Sequence, residues 1–200
     1  MTTNSSASSF LDLLSDPKNV GLALQIHEHF PKVIERLQVK FWKRLYSLLR
    51  NQVEKIAGWE IEPLPSKDVE LLGQYFKIVV VPTRINEAKL SCRFAIEQYR
   101  DRKQVFSLYF GICWTAETPR PPNSPEYQAL STNLAKDDYG KTNWWIGLKY
   151  LEYRVGDNAE VLEQLATGDS VEEQVATEFV ELIEHYCKGA ERLNASLAKA

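Results

Sequence analysis

Two alternating stretches, 89-KLSCRFAIEQY-99 and 104-QVFSLYFGICW-114, decide the fold. In both, apolar residues recur at every second position, which is the period of a β-strand with one buried face. The intervening residues, 100-RDRK-103, are polar and predict a hairpin turn. The predicted buried faces carry Leu90, Cys92, Phe94 and Ile96 on the first strand, and Phe106, Leu108, Phe110, Ile112 and Trp114 on the second.

A further strand is predicted in 142-TNWWIGLKYL-151, where two tryptophans are adjacent. Successive side chains of a strand point to opposite faces, so the two tryptophans separate. Strict alternation places Trp144, Ile146, Leu148 and Tyr150 on the buried face, and Trp145, Gly147, Lys149 and Leu151 on the other. We therefore expect one apolar layer between sheet and helices, formed by Phe94, Ile96, Leu108, Phe110 and Trp144.

The opposite face of the same strands is the first candidate binding surface. Five residues should project from it together: Arg93, Glu97, Tyr109, Trp145 and Lys149. They form either ordinary cross-strand pairs or an interface, since Trp, Tyr and Arg concentrate binding energy in interfaces.

Helices are predicted before the sheet. A short helix ends near Ser15, and a second begins with Asp16 as N-cap and Pro17 at its first position. Apolar residues at three- and four-residue spacing continue the helical pattern through 31-PKVIERLQVKFWKRLYSLLRNQVEK-55. Pro31 either kinks one long helix or begins another. The apolar face is wide and predicts contact on more than one side.

Short strands are predicted in 58-GWEIEPLP-65 and 74-QYFKIVVVP-82, and helices after the hairpin. Ser124 and Pro125 open a short helix through Leu134, Gly168 closes another, and Ser170 with Glu173 caps a long final helix. The predicted fold class is α+β: an antiparallel sheet of about 4–5 strands with N-terminal helices and a long C-terminal helix packed on it. Residues 1–9 are predicted to be a flexible tail, and 10–200 a single domain.

The composition suits a packed globular protein, with 44% hydrophobic and 11% aromatic residues. The net charge of −3 gives no support to non-specific nucleic-acid binding. A local basic stripe on helix 31–50 is the second candidate surface, formed by Arg36, Lys40, Lys43 and Arg44. It would meet phosphates, meet the acidic final helix, or face solvent.

The remaining motifs predict no catalytic residue, metal site or cofactor. His27 and His29 are two residues apart and do not share a helix face. Asp137 and Asp138 beside Gly140 predict a turn rather than an acid/base pair. Three cysteines without CxxC spacing favour free thiols in a reducing cytoplasm. The sequence has no signal-peptide pattern and no apolar run of the ~18 residues that predict a membrane span.

The order of the motifs resembles a known family. The stretch 14-LSDPKNVGLALQIHEHFPKVIERLQVKFWKRLYSLL-49, the hairpin, 143-NWWIGLKYLEYRV-155 and 190-AERLNASL-197 are similar to the C-terminal region of many bacterial PD-(D/E)XK nuclease-superfamily proteins of unassigned role. The resemblance covers most of residues 16–195. It implies an accessory region that binds a partner or helps to recognise nucleic acid.

The nuclease site itself is not recognisable. It needs an acidic residue on one strand and an E-x-K motif on the next, which hold a divalent metal. The E-x-K present is Glu87-Ala88-Lys89, preceded by 83-TRIN-86 and not by an apolar strand, with Asp68 as its only candidate partner.

Three functional hypotheses follow. The first is a non-enzymatic interaction module of a bacterial or mobile-element protein system, whose partner is another protein or a second copy. The second is a nucleic-acid-binding accessory domain that uses the basic helix and the Arg93/Lys149 face. The third is a degenerate PD-(D/E)XK-like nuclease. Salt-dependent DNA binding would separate the second from the first, and metal-dependent cleavage would identify the third.

Overall fold

An antiparallel sheet with helices packed against it forms the protein, as the sequence predicts. The structure is a computed structural model that describes residues 12–83, 90–100, 106–115, 122–155, 159–167 and 171–199. The strands described are β1 (Trp59–Ile61), β2 (Lys77–Pro82), β3 (Cys92–Arg100), β4 (Phe106–Trp114) and β5 (Trp145–Val155). The helices described are α1 (Val20–Val53), α2 (Pro125–Lys136), α3 (Ala159–Thr167) and α4 (Val171–Leu197), with a 3-10 turn over Asp68–Leu72 and helical residues at 12–15.

The described strands lie in chain order, β1-β2-β3-β4-β5, and each is antiparallel to the next. The predicted hairpin is the centre of this sheet, since β3 and β4 pair along their whole length from Cys92↔Trp114 to Arg100↔Phe106. The predicted turn residues 101–103 lie outside the described residues. The α+β fold class is confirmed.

The main core lies between the sheet and the helices. Phe94, Ile96, Leu108 and Phe110 are buried there, which confirms the predicted phase of β3 and β4. The ring of Phe110 is 6.1 Å from that of Phe179 on α4. From Ile34 onward α1 contributes buried apolar side chains to this core: Ile34, Phe41, Trp42, Leu45, Leu49 and Val53.

The predicted phase of β5 is confirmed at Trp145 and Ile146 but is wrong from Gly147 onward, and a β-bulge is the reason. Ile112 pairs with Gly147 whereas its neighbour Cys113 pairs with Trp145, so Ile146 is an extra residue in the ladder. Beyond the bulge the alternation is inverted relative to a strict count. A Cβ on Gly147 would touch Leu134 of α2, which places that residue on the helix side.

The inversion moves Leu148 and Leu151 from the predicted faces, whereas Trp144 departs from its prediction for another reason. Trp144, expected in the core, lies before β5 and is 50% exposed. Leu148 packs against the face opposite the helices, and Leu151 joins the main core. Ile146 is buried in the main core, as predicted.

A buried amide fixes α1 on the sheet. The side-chain oxygen of Gln98 accepts hydrogen bonds from Trp42 Nε1 at 2.7 Å and from Gln38 Nε2 at 2.8 Å. Its Nε2 donates to the carbonyl of Gly73 at 2.6 Å, next to the 3-10 turn. One polar side chain of β3 therefore holds the helix and the turn together.

One predicted helix start differs from the structure and another agrees with it. Asp16 does not begin a helix, because residues 16–19 form a turn and α1 starts at Val20, with Pro31 inside a single helix. Ser124 caps α2 as predicted and accepts from the Tyr127 backbone N–H at 3.2 Å. The predicted cap Ser170, the closing Gly168 and the tail 1–9 lie outside the described residues. Among the helices that are described, none is both long and apolar enough to cross a membrane.

Gly111 is predicted to tolerate no side chain. A Cβ there would lie 2.0 Å from the carbonyl oxygen of Gly147, where β5 closes over β4 at the bulge. We expect Gly111→Ala to reduce the free energy of unfolding by about 3 kcal/mol or more, because backbone atoms cannot yield as side chains do. The measurement is urea denaturation.

Gly140→Ala is the matched control, since a Cβ there meets its nearest neighbour only at 3.7 Å. It should change the free energy of unfolding by less than about 1 kcal/mol. Equal effects of the two substitutions would contradict the bulge geometry.

Candidate interaction surface

Four of the five predicted surface residues come together on the sheet face opposite the helices. Arg93 pairs with Cys113 across β3 and β4, Glu97 with Tyr109, and Trp145 with Cys113 across β4 and β5. The described part of this face holds a second apolar cluster built from strand residues: Val79, Val81, Ala95, Tyr109, Cys113 and Trp145.

The polar groups of this face are paired with one another. The Tyr109 hydroxyl donates to Glu97 Oε1 at 2.5 Å, and Lys77 Nζ lies 3.8 Å from Glu97 Oε2. Burial and the bond to Glu97 raise the pKa of Tyr109. Arg93 Nη1 lies 3.7 Å from Glu62 Oε1. The carboxylate of Glu97 is thus held by a phenol and an ammonium group.

The aromatic members of this face are buried. Trp145 is 6% exposed and Tyr109 is 7% exposed, with their rings 5.4 Å apart in an edge contact. A partner could contact these two rings only if the atoms that cover them moved away. The geometry therefore favours the interpretation of these four residues as cross-strand packing.

Lys149 lies on the other side of the sheet. It pairs with Phe110, whose ring contacts α4, and its ammonium group is 5.9 Å from the ring centre of Tyr139. The same ammonium group opposes the effect of burial on the pKa of Glu178, which is nevertheless raised. The bulge at Ile146 separates Lys149 from the other four.

Three of the four residues of the basic stripe contact partners within the chain. Lys40 Nζ donates to the Ala166 carbonyl at 3.1 Å, and Lys43 Nζ lies 2.8 Å from Asp68 Oδ1. Arg44 Nη1 lies 3.7 Å from Glu172 Oε1, on the acidic final helix. Arg36 is exposed. The alternative in which the stripe meets the final helix within the chain is therefore seen at Arg44.

The acidic groups considered for catalysis also have structural contacts. Asp68 is exposed and paired with Lys43, and Glu87 and Lys89 lie outside the described residues. Asp137 accepts a hydrogen bond from the Tyr186 hydroxyl, which joins the end of α2 to α4. Among the residues that the structure describes, no three His, Cys, Asp or Glu side chains form a group able to hold a metal.

The two buried thiols, Cys92 and Cys113, are poor nucleophiles at neutral pH. Burial raises the pKa of Cys92 and of Cys113, which keeps both protonated. Cys187 is half-buried on α4, and its Sγ faces the Glu184 carbonyl.

Among the described residues, half of the exposed large apolar side chains lie in one segment that was not singled out from the sequence. Burial in α1 begins at Ile34, and the residues before it project from the body of the protein. Large apolar side chains on this projecting segment, residues 20–33, are 43% to 64% exposed: Val20, Leu22, Leu24, Ile26, Phe30 and Val33.

The projecting segment carries a heptad-like stripe. Ala23, Ile26, Phe30, Val33 and Leu37 are separated by three, four, three and four residues. This spacing is the seam of a helix that packs against another helix. A shallow depression of about 280 Å³ lies on the stripe, lined by Ile26, His29, Phe30, Val33 and Gln25. The three- and four-residue spacing can be recognised in the sequence, but the exposure of these side chains cannot.

Comparison of the chain with protein-family models, with curated proteins and with solved structures gives no match.

Removing the aromatic rings from the buried sheet face should unfold the protein. We expect Tyr109→Ala combined with Trp145→Ala to lower the free energy of unfolding by more than about 4 kcal/mol, because each change empties a buried site. Tyr150→Ala is the control, since Tyr150 contacts Tyr109 but is 63% exposed. A double variant as stable as the control would show that this face is open to partners.

Alkaline pH should destabilise the protein through its tyrosines. Burial raises the pKa of Tyr139 to about 12, and the pKa values of Tyr109 and Tyr186 are also raised. Above the ordinary tyrosine pKa of ~10 the unfolded chain releases protons that the folded chain retains. The free energy of unfolding should therefore be level below about pH 10 and fall above it.

Urea denaturation across this range measures the slope, and Tyr139→Phe should reduce it. An unchanged slope in that variant would contradict the contribution of Tyr139.

Proposed function

We propose that the chain is a non-enzymatic interaction module, and that its contact surface is the projecting segment of α1. The observation that carries this proposal is the exposure of large apolar side chains along residues 20–33. Six such side chains at about half exposure present on the order of 600 Å² in all, and the four that share one side of the helix present about 400 Å², which is within the range of the largest patches that monomers expose. Patches of this size mark interaction sites.

The projecting segment lacks internal support. Pro31 lies within α1, where it removes a backbone hydrogen bond and crowds the preceding turn, at a cost of about 3 kcal/mol. Helices of this length are marginal in water without packing of an apolar face. A partner would supply the packing that the body of the protein supplies to residues 34–53.

The partner proposed is a helix with an apolar stripe. The three-four spacing of Ala23, Ile26, Phe30 and Val33 matches knobs-into-holes packing against another helix. The segment contains one acidic and one basic residue, Glu28 and Lys32, so its formal charge is zero with neutral histidines. An acidic nucleic-acid backbone has little to contact there.

Other functions have weaker support. Nucleic-acid binding would need the basic stripe, but Lys43 and Arg44 already face carboxylates of Asp68 and Glu172. A nuclease would need Glu87 and Lys89, which lie outside the described residues. Buried free thiols at Cys92 and Cys113 support a cytoplasmic location. Bacterial or mobile-element origin rests on the family resemblance alone.

Site-specific photocrosslinking in cells that express the chain tests the proposal. Phe30 is replaced by the photoreactive p-benzoylphenylalanine, and the same residue at exposed Asn51, in the anchored half of α1, is the control. We expect an adduct from position 30 that maps to apolar positions three or four residues apart on a helix, whether that helix belongs to another protein or to a second copy.

Adducts that are equally abundant from position 51 would contradict the proposal. So would adducts from position 30 that map to nucleic acid or scatter over polar loops.

A further inference from the structure

We infer that the helix received by the projecting segment belongs to a second copy of this chain, packed antiparallel, with Ile26 of one copy against Phe30 of the other. This inference rests on the function proposed above and names its partner. It follows from the symmetry of the stripe, from the position of the body on α1 and from the charge of the segment.

The stripe is complementary to itself when it is reversed. An antiparallel pair centred between Ile26 and Phe30 places Ile26 against Phe30 twice. The same register places small Ala23 against Val33, also twice. A twofold axis therefore brings apolar residues opposite apolar residues at each layer, which an isologous dimer requires.

The depression on the stripe supports this register. Its lining includes Ile26, Phe30 and Val33, and its volume is about 280 Å³. That is just below the range of ligand pockets, which run from ~300 to ~1,000 Å³. It has the size and apolar lining to receive a side chain such as Phe30 of the second copy.

The position of the body selects the antiparallel orientation. From Ile34 onward α1 contacts β1, the 3-10 turn, α3 and α4. In a parallel pair, the two bodies would meet at the same end of the seam. They would hold the helix axes further apart than the roughly 8–10 Å that is typical of packed helices. In an antiparallel pair, the bodies lie at opposite ends of a seam roughly 21 Å long, at ~1.5 Å per residue.

Electrostatics do not oppose self-association. Glu28 and Lys32 balance each other within the segment, and the cations Lys40, Lys43 and Arg44 lie beyond its C-terminal end. The stripe side of the segment presents about 400 Å² of apolar surface from Leu22, Ile26, Phe30 and Val33 at about half exposure. If both copies cover it, the apolar part of the interface totals on the order of 800 Å², which is below standard size and in the range of weak, transient contacts. This predicts a reversible dimer.

Sedimentation equilibrium of the purified chain tests the partner. We expect a monomer–dimer equilibrium within concentrations up to ~100 µM, as a micromolar dissociation constant requires. Phe30→Glu should weaken it roughly 100-fold, because it places a charge in the centre of the seam. Leu24→Glu is the matched control: it removes an exposed side chain of the same segment, 64% exposed but off the stripe, and should leave the dissociation constant within about threefold.

Disulfide trapping tests the orientation, in a Cys187→Ser background that removes the half-buried native thiol. A mixture of Ala23→Cys chains and Val33→Cys chains should crosslink under mild oxidation. Neither variant alone should do so, because in the antiparallel register each engineered thiol is ~15 Å from its symmetry mate along the seam. Disulfides need Cα atoms within about 7 Å.

A chain that stays monomeric at the highest concentration overturns the inference, and so does rapid crosslinking of Ala23→Cys with itself. The proposed function fails separately, because it depends on the photocrosslinking experiment: it fails when position 30 gives no helix adduct beyond what position 51 gives. A monomeric chain that gives such an adduct with another protein would sink the dimer and keep the interaction module.

Discussion

The buried amide of Gln98 determines where the long helix lies. Gln38 and Trp42, one turn apart on α1, donate to the same Gln98 oxygen. Sliding α1 along the sheet by one turn would leave that buried amide unpaired, which is more costly than the bonds themselves are favourable. Burial on α1 begins at Ile34, one turn before Gln38, so in this register residues 20–33 extend beyond the sheet and the other helices. The hydrogen bonds to Gln98 therefore determine that this segment projects.

The second constraint is the bulge at Ile146. It lets Trp145 pack beside Tyr109 on the face away from the helices while Ile146 enters the main core. The close approach of Gly147 to Gly111 is the local condition for this arrangement. The sheet therefore has an apolar cluster on each face. On the face away from the helices, the side chains contact one another, and Glu97 is paired with Tyr109 and Lys77. The projecting segment remains as the best-defined exposed apolar surface.

Much of this fold could be predicted because apolar residues in β3 and β4 recur at every second position, which is the period of a β-strand. Strict alternation in β3 and β4 placed Phe94, Ile96, Leu108 and Phe110 correctly. It failed at Lys149, because a bulge inserts one residue without a mark in the pattern beyond Gly147, and at Trp144, because β5 begins only at Trp145. The site was harder to predict. The apolar stripe from Ala23 to Leu37 can be recognised in the sequence. The same spacing, however, is found in a helix that packs on the core of its own chain and in a helix that packs on a partner.

The central claim is that residues 34–53 of α1 are packed within the monomer, whereas residues 20–33 are packed only by a second copy. Amide hydrogen exchange along α1 at increasing protein concentration tests this most directly. We expect residues 34–53 to be protected at every concentration, because their packing and their hydrogen bonds to Gln98 lie within the monomer. Protection of residues 20–33 should be weak in dilute protein and rise with concentration, as a second copy covers the stripe. Equal protection of both halves at every concentration would show that the projecting segment is stable without a partner, and would contradict the account.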